Sequence, residues 1–216
     1  MPPKVVATIN STGRQAASFI RAASAVGWHV RAQIQSREGL VAEELADLPN
    51  VTFIEGDLTG SDFDVRRLLT CLFTGAKIAL INTTHWGDEV AIGKACADVA
   101  KRVGVSHYVY SSMPDHSTFG EDWRALPMWA SKFAVENYVR QIGIPATFTY
   151  TGIYNNNLTS LPYPLFQMEL QENGSFVWQA PFHPDDPLPW LDAEHDVGPA
   201  LLAIFKMGAK HWKGQR

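Results

Sequence analysis

The richest chemistry in this 216-residue chain lies in one short stretch, Asn10-Ser11-Thr12-Gly13-Arg14-Gln15-Ala16. It follows a β-branched run, Val5 to Ile9, and leads into Ala16, Ala17, Phe19, Ile20, Ala23 and Val26 at helical spacing. A strand-to-helix turn of this kind exposes unpaired backbone N–H groups at the positive end of the helix dipole. An anion is stabilised there without any charged side chain. The three-glycine spacing that brings backbone close to a pyrophosphate is reduced here to Asn10, Gly13 and Ala16. Asn tolerates a left-handed backbone and Ala is small enough for close helix-sheet packing, so the loop predicts a bound nucleotide rather than an empty turn. At the end of the second strand an NAD-selective protein carries an acid for the ribose 2′-hydroxyl; this chain has Gln35, Ser36 and Arg37. No carboxylate repels a 2′-phosphate there. Arg37 either pairs with one or is a solvated cation, and both NAD and NADP are allowed.

Other polar groups fall where strands end. Asn82, Thr83 and Thr84 follow the fourth strand, and Tyr154, Asn155, Asn156 and Asn157 follow the sixth. Uncharged donors and acceptors suit a carboxamide and a ribose, and they are equally a common turn composition. Ser111 and Ser112 close the fifth strand, where they polarise a substrate or simply satisfy the loop. His116 has a side chain suited to proton transfer near neutrality, although a loop histidine is more often a surface residue.

The elements that position these residues alternate. Val5–Ile9, His29–Gln35, Val51–Ile54, Ala79–Ile81, His107–Ser111 and Ala146–Thr151 read as strands. Between them lie helical patterns at Leu40–Leu48, after the N-cap Ser61, after Asp88 and at Trp129–Ile142, the last closed at Gly143 and supported by the pair Glu136 and Arg140. Such alternation predicts an α/β fold: a doubly wound parallel sheet, the Rossmann fold, with its ligand crevice at the carboxyl ends of the strands. From Tyr154 the repeating unit disappears. A hairpin turning at Glu172 to Gly174 and a last helix from Asp196 to Lys206 are expected there. The chain thus divides into a dinucleotide-binding domain, 1–153, and a small, incomplete C-terminal subdomain packed on it, 154–216, whose last residues, Lys213 to Arg216, lead into no recognisable element.

Composition narrows the function classes. The formal charge of −4 and the absence of Lys or Arg runs argue against direct nucleic-acid binding. No window approaches a membrane span, and a soluble intracellular protein is expected. Cys71 and Cys96 sit in apolar helical stretches and are expected to be two buried thiols. No metal site is expected.

Several long segments carry a more specific signal: STGRQAA, ALINTT, YSSMPDHS, PMWASKFAVENYVRQ, GIYNNNLTSLPYPLFQMEL and PLPWLDAEHDVGPALL. Together they closely resemble the NmrA-like family of fungal nitrogen metabolite repression regulators, atypical members of the short-chain dehydrogenase superfamily. The resemblance covers essentially the whole chain, and the family's further C-terminal portion is expected to be missing. It implies binding of NAD and NADP, protein contact with a GATA-type zinc-finger transcription factor, and a place in cytoplasm and nucleus. It also implies that Asn82, Thr83, Thr84, Tyr154 and Asn155 to Asn157 contact the cofactor, with Asp57 and Leu58 near adenine. Short-chain dehydrogenases use Tyr-x-x-x-Lys, the phenol handling the proton and the lysine binding nicotinamide ribose. Here Lys132 remains, but Met128 stands in the phenol's place, and a thioether has no proton to give. No catalytic residue is therefore assigned; the resemblance implies a regulator that reads the cofactor, with redox sensing as the expected form of that reading. The alternative is an NAD(P)H-dependent reductase of quinone-type or other small carbonyl substrates.

Overall fold

The computed structural model describes residues 4–120, 122–180, 183 and 185–216. Its centre is a six-stranded sheet in the order β3-β2-β1-β4-β5-β6, and every pairing in it is parallel. The strands are β1 (Val5–Thr8), β2 (His29–Ile34), β3 (Val51–Glu55), β4 (Ile78–Ile81), β5 (His107–Ser111) and β6 (Ala146–Thr149). The order reverses between β1 and β4, which opens the crevice expected of a doubly wound sheet.

Strand alternation feeds two cores. Ala7, Ala79, Ile81, Tyr108 and Tyr110 face one side, covered by α3 (Asp62–Phe73), α4 (Glu89–Arg102) and α5 (Pro127–Ile142). Val6, Ile78, Leu80 and Val109 face the other, covered by α1 (Arg14–Ala25), α2 (Leu40–Ala46) and α6 (Val197–Met207). Helix starts follow local chemistry. Ser61 accepts the Asp64 N–H and Asp88 accepts the Ala91 N–H, each satisfying a donor that the helix leaves free. Helix α5 begins at Pro127, two residues before its apolar pattern, because proline suits the first helical position; Gly143, left-handed at φ 73°, ends it.

Two expectations change. Cys96 is buried, its thiol pushed up to about 12 by burial, but Cys71 is exposed: Val65, Leu69, Leu72 and Phe73 take the inner face of α3 and Cys71 lies off it. Residues 154–216 pack on the sheet through their last long helix. Val197, Leu201, Leu202 and Phe205 of α6 join the core beside α1. The C-terminal stretch, read as leading nowhere, lies along the outer edge of β6 after the short α7 (Ala209–Trp212): Gly214 N–H donates to Ala146 O at 2.7 Å and Phe148 N–H to Gln215 O at 3.0 Å. Arg216 then reaches the buried Glu136 at 2.9 Å. The expected hairpin is present as β8 (Met168–Leu170) paired antiparallel with β9 (Phe176–Trp178), with its apolar side chains largely exposed. Before and after it, β7 (Ile153–Tyr154) and β10 (Trp190–Leu191) form a two-residue parallel pair.

The tightest seam is α1 against α6. A Cβ on Gly198 would run into the backbone carbonyl of Ser18, and Gly198 N–H donates to Ser18 Oγ at 2.9 Å. Gly198→Ala should therefore cost about 2 kcal/mol or more of unfolding free energy, because backbone cannot yield as a flexible side chain does. Urea unfolding followed by circular dichroism measures it; a loss below about 0.5 kcal/mol would show that the seam opens easily.

Candidate functional site

The loop after β1 is shaped as its residues require. Asn10 is left-handed at φ 48°. Its N–H donates to Gln33 Oε1 at 2.8 Å and its Nδ2 to Asn82 O at 2.9 Å, which ties the carboxyl ends of β1, β2 and β4 together. The Ser11 hydroxyl turns inward, sharing a hydrogen bond with Thr8 Oγ1 at 2.8 Å, so it shapes the loop rather than facing the crevice. Thr12 and Gly13 are exposed, and a Cβ at Gly13 would stand only 3.2 Å from Asn10 O. Helix α1 has no side-chain cap and no acid in its first turn. Its free N–H groups and dipole therefore face the crevice uncompensated, which fits a pyrophosphate.

Beside this loop lies a groove of about 290 Å³ lined by Asn10, Gln35, Asp57, Leu58, Thr84 and Trp86, among others. A second hollow, of about 390 Å³, adjoins it at Gln35 and takes in Thr12 and Ser36. Asp57 bonds its own loop, accepting Thr59 N–H at 2.7 Å, and this holds its carboxyl below the usual range. Ser36 Oγ accepts Glu38 N–H at 3.1 Å. Arg37 lies at 3.3 Å from Glu55, both well exposed, with its guanidinium over Phe53. The solvated-cation alternative for Arg37 thus gains a partner, in an ion pair too exposed to hold the arginine firmly.

The other predicted residues divide into two groups. Lys132 is largely buried, and Nζ donates to Thr83 O at 2.6 Å and Asn82 Oδ1 at 3.3 Å while lying 3.1 Å from Glu89 Oε1. Burial pulls the lysine down and Glu89 pulls it back up, with the net shift downward. Thr83 Oγ donates to Glu89 at 2.7 Å and shares a 2.9 Å bond with the Tyr110 hydroxyl, itself pushed upward by burial. Glu89 escaped the sequence reading. An acid in a helix first turn ordinarily signals dipole compensation at a surface, yet this side chain is only 5% exposed.

The second group gathers around α1. Gln15 Nε2 donates to Tyr154 Oη and, at 3.3 Å, to Thr151 Oγ1, leaving the buried Oε1 without a partner among the described residues. Arg14 bonds Glu194 at 3.1 Å, Asn157 Oδ1 at 2.9 Å and Ser160 Oγ at 2.8 Å. Asn156 is wholly engaged with the 192–193 turn, donating to Asp192 at 3.1 Å and accepting Ala193 N–H at 2.8 Å, while Asn155 is exposed. The asparagine cluster thus divides: Asn156 and Asn157 fasten chain segments together. Met128 is 54% exposed at the start of α5. His116 packs its ring against Trp129 at 4.6 Å, and Ser111 and Ser112 are buried.

A family model, the NmrA-like family, matches residues 2–216. The chain belongs to the NmrA-like family. It is 64% identical over 215 residues to the nitrogen metabolite repression protein nmrA of Emericella nidulans, covering 99% of this chain and 60% of that protein. It is 58% identical to the nitrogen metabolite repression protein nmr of Neurospora crassa, covering 99% of this chain and 48% of that one. Crystal structures of NmrA, a negative transcriptional regulator, in complex with NADP and with NAD each match with a TM-score of 0.93 at 62% identity, covering 100% of this chain and 66% of theirs. The chain therefore spans less than two thirds of the length of these relatives. These two relatives are named as nitrogen metabolite repression proteins rather than enzymes, and the two NmrA structures hold NADP and NAD.

The Lys132–Glu89 pair yields a pH-dependent expectation. Glu89→Gln keeps size and an acceptor but leaves a buried ammonium without its counter-charge, at a cost of about 3 kcal/mol. In this variant the folded-state pKa of Lys132 lies further below its unfolded value. The cost is therefore full below the folded value, where both states are charged, and shrinks as pH rises through it, because the folded protein sheds the proton first. Urea unfolding of wild type and variant between pH 7 and 10 measures this, and a pH-independent difference would count against a charged Lys132.

Proposed function

We propose that this chain is the dinucleotide-binding part of a negative regulator of nitrogen metabolism, one in which NAD or NADP is a ligand rather than a consumed co-substrate. The pyrophosphate lies on the uncapped N-terminus of α1, with Asn10, Thr12 and Gly13 around it, the adenylate half toward Gln35, Asp57 and Leu58, and the nicotinamide half toward Asn82, Lys132 and Tyr154. The bound nicotinamide supplies a two-electron couple whose oxidised ring carries one more positive charge than its reduced form. No residue at position 128 can donate a proton to a substrate oxygen, so this chain's own groups hold and orient and do not complete a carbonyl reduction.

The observation that carries the regulatory reading is the fastening of α1 to distant segments. Arg14, Gln15 and Ser18, on the first turn and a half of the phosphate helix, bond Glu194, Asn157, Ser160 and Tyr154, with Ser18 Oγ donating to Glu194 O at 2.6 Å. A ligand that shifts the first turn is felt at residues 154–160 and 192–198. Through that surface the protein contacts a GATA-type zinc-finger factor, in the cytoplasm or nucleus, with an affinity set by nucleotide occupancy and redox state. The acidic net charge suits a basic finger.

Thermal melts test the binding reading first. At a hundredfold excess over Kd, a ligand specific for the folded state adds about 2.7 kcal/mol, or roughly 5–10 °C for a chain of this size. NAD and NADP should both raise the midpoint, and no shift with either removes the proposal. Calorimetric titration with a GATA-type zinc-finger fragment then tests the partner: the affinity should differ between NAD-loaded and NADH-loaded protein, and Arg14→Ala should reduce that difference. Steady NADPH oxidation with quinones or carbonyls would favour the reductase reading instead.

A further inference from the structure

Charge is divided unevenly along this chain. Residues 141–205 hold seven acidic residues and no lysine or arginine, so the remainder carries a net charge of +3 within the total of −4. The fold gathers part of that positive remainder at one end. All six strands of the central sheet run the same way, with the crevice at their carboxyl ends, and the opposite end is where the strands begin.

Lys4 directly precedes β1 and Lys77 directly precedes β4. Their backbones join the sheet there, His29 N–H donating to Lys4 O at 3.0 Å and Lys77 N–H to Val5 O at 3.2 Å. Lys206 lies in the last turn of α6, next to Phe205, whose ring meets that of His107 at the start of β5 with centroids 5.2 Å apart. Lys210 and Lys213 lie in and just after α7, where Thr147 Oγ1 at the start of β6 donates to Trp212 O at 3.0 Å. All five lysines are exposed, and none enters an ion pair among the described residues. Compensation of a helix dipole accounts for Lys206, but α7 is too short to account for Lys210, and Lys4 and Lys77 end no helix.

Apolar groups stand among the ammoniums. Val26, between α1 and β2, is 43% exposed, and Met207, closing α6, is 50% exposed. In sheet order the row runs from Val26 beside β2, through Lys4 and Lys77, to Lys206 and Met207 beside β5 and the two α7 lysines beside β6. At a strand spacing of about 4.8 Å the row is roughly 20 Å long, the reach of about six residues of extended chain.

Five cations without counter-charges suit an anionic partner. Phosphates of a nucleic acid would leave Val26 and Met207 without use, and none of the five offers the planar fork of an arginine. We infer that this end of the sheet docks an extended polypeptide segment in which acidic and apolar residues alternate, the composition of disordered activation segments. Its carboxylates meet the lysine row while its apolar side chains cover Val26 and Met207. The surface is separate from the crevice and from residues 154–160 and 192–198, and it would repel a basic zinc finger. The inference therefore stands apart from the proposed finger contact.

Fluorescence polarisation of the full chain with a labelled Asp-Leu-Asp-Phe-Asp-Leu-Asp peptide tests this. Wild type should bind it, and Lys206→Glu combined with Lys210→Glu should weaken binding by about tenfold or more. Lys4→Glu, outside every helix and strand, should weaken it several-fold without depending on how α6 folds. Met207→Ser should also weaken it, whereas Lys94→Glu, on the exposed middle of α4, should leave it unchanged. Absence of wild-type binding at about 100 μM peptide overturns the inference, as does an affinity that the lysine reversals leave intact. An all-glutamate peptide that binds equally well removes the apolar part and overturns it too. Tighter binding of a DNA duplex that the same reversals abolish would assign the surface to nucleic acid instead. Self-association of wild type in sedimentation velocity, lost in the reversals, would assign it to the acidic residues of a second copy. Unfolding midpoints equal to wild type, and equally raised by NAD, show that each variant remains folded.

Discussion

Helix α1 must satisfy two opposed demands, and much of the molecule is arranged around that conflict. Its body is locked: Phe19, Ile20 and Ala23 are fully buried against the sheet, and Gly198 of α6 approaches so closely that Ser18 backbone fills the place of a side chain. Its N-terminus, by contrast, is left without a cap or an acid. A helix end that lacks such groups forgoes about 1 kcal/mol of local stability. Burial along the rest of the helix offsets that readily. An unsatisfied anion-binding end is stable here because the rest of α1 is held by tertiary packing rather than by the helix itself.

The same trade recurs at the end of β4. Lys132 and Glu89 bring two charges into a poorly hydrated corner, where an ion pair of this kind seldom adds net stability over apolar side chains. What it supplies is geometry. The ammonium holds Thr83 O and Asn82 Oδ1, Asn82 O in turn accepts from Asn10, and Thr83 Oγ links Glu89 to Tyr110. One charge pair therefore fixes the positions of two loops at the switch point of the sheet. Glu136 does comparable work at the edge. Burial drives its carboxyl upward, but hydrogen bonds from Tyr150, Arg216 and Arg140 outweigh this and draw it down, and the C-terminal residues are tied to β6 as a result.

Features that depend on neighbouring residues were legible in the sequence. The β-branched runs and 3.6-residue periodicities give the strands of the central sheet and helices α1 to α6 within a few residues, and the caps at Ser61 and Asp88 follow from residue type and spacing. The left-handed Asn10 is likewise implied by the shortened glycine pattern. Features that depend on distant partners were not. Glu89 reads as a surface acid until α5 brings Lys132 beside it. Asn156 reads as a ligand group until the 192–193 turn takes both ends of its amide, and Arg14 reads as a phosphate-loop cation until Glu194, Asn157 and Ser160 surround it.

These long-range bonds bear on what kind of protein uses such a site. A ligand shifts a conformational equilibrium only by its difference in affinity for the two states, however tightly it binds either. A crevice built from rigid loops alone would bind a dinucleotide and transmit nothing. In this chain Arg14 sits where both demands meet, on the first turn of the phosphate helix and in contact with the 157–160 and 192–196 segments. Its partners are one partly exposed carboxylate and two neutral groups, contacts that a pyrophosphate can compete for. Three of the guanidinium's five N–H groups are engaged in these bonds and two are left over, so a pyrophosphate placed at the first turn would bear on the same side chain that holds those segments.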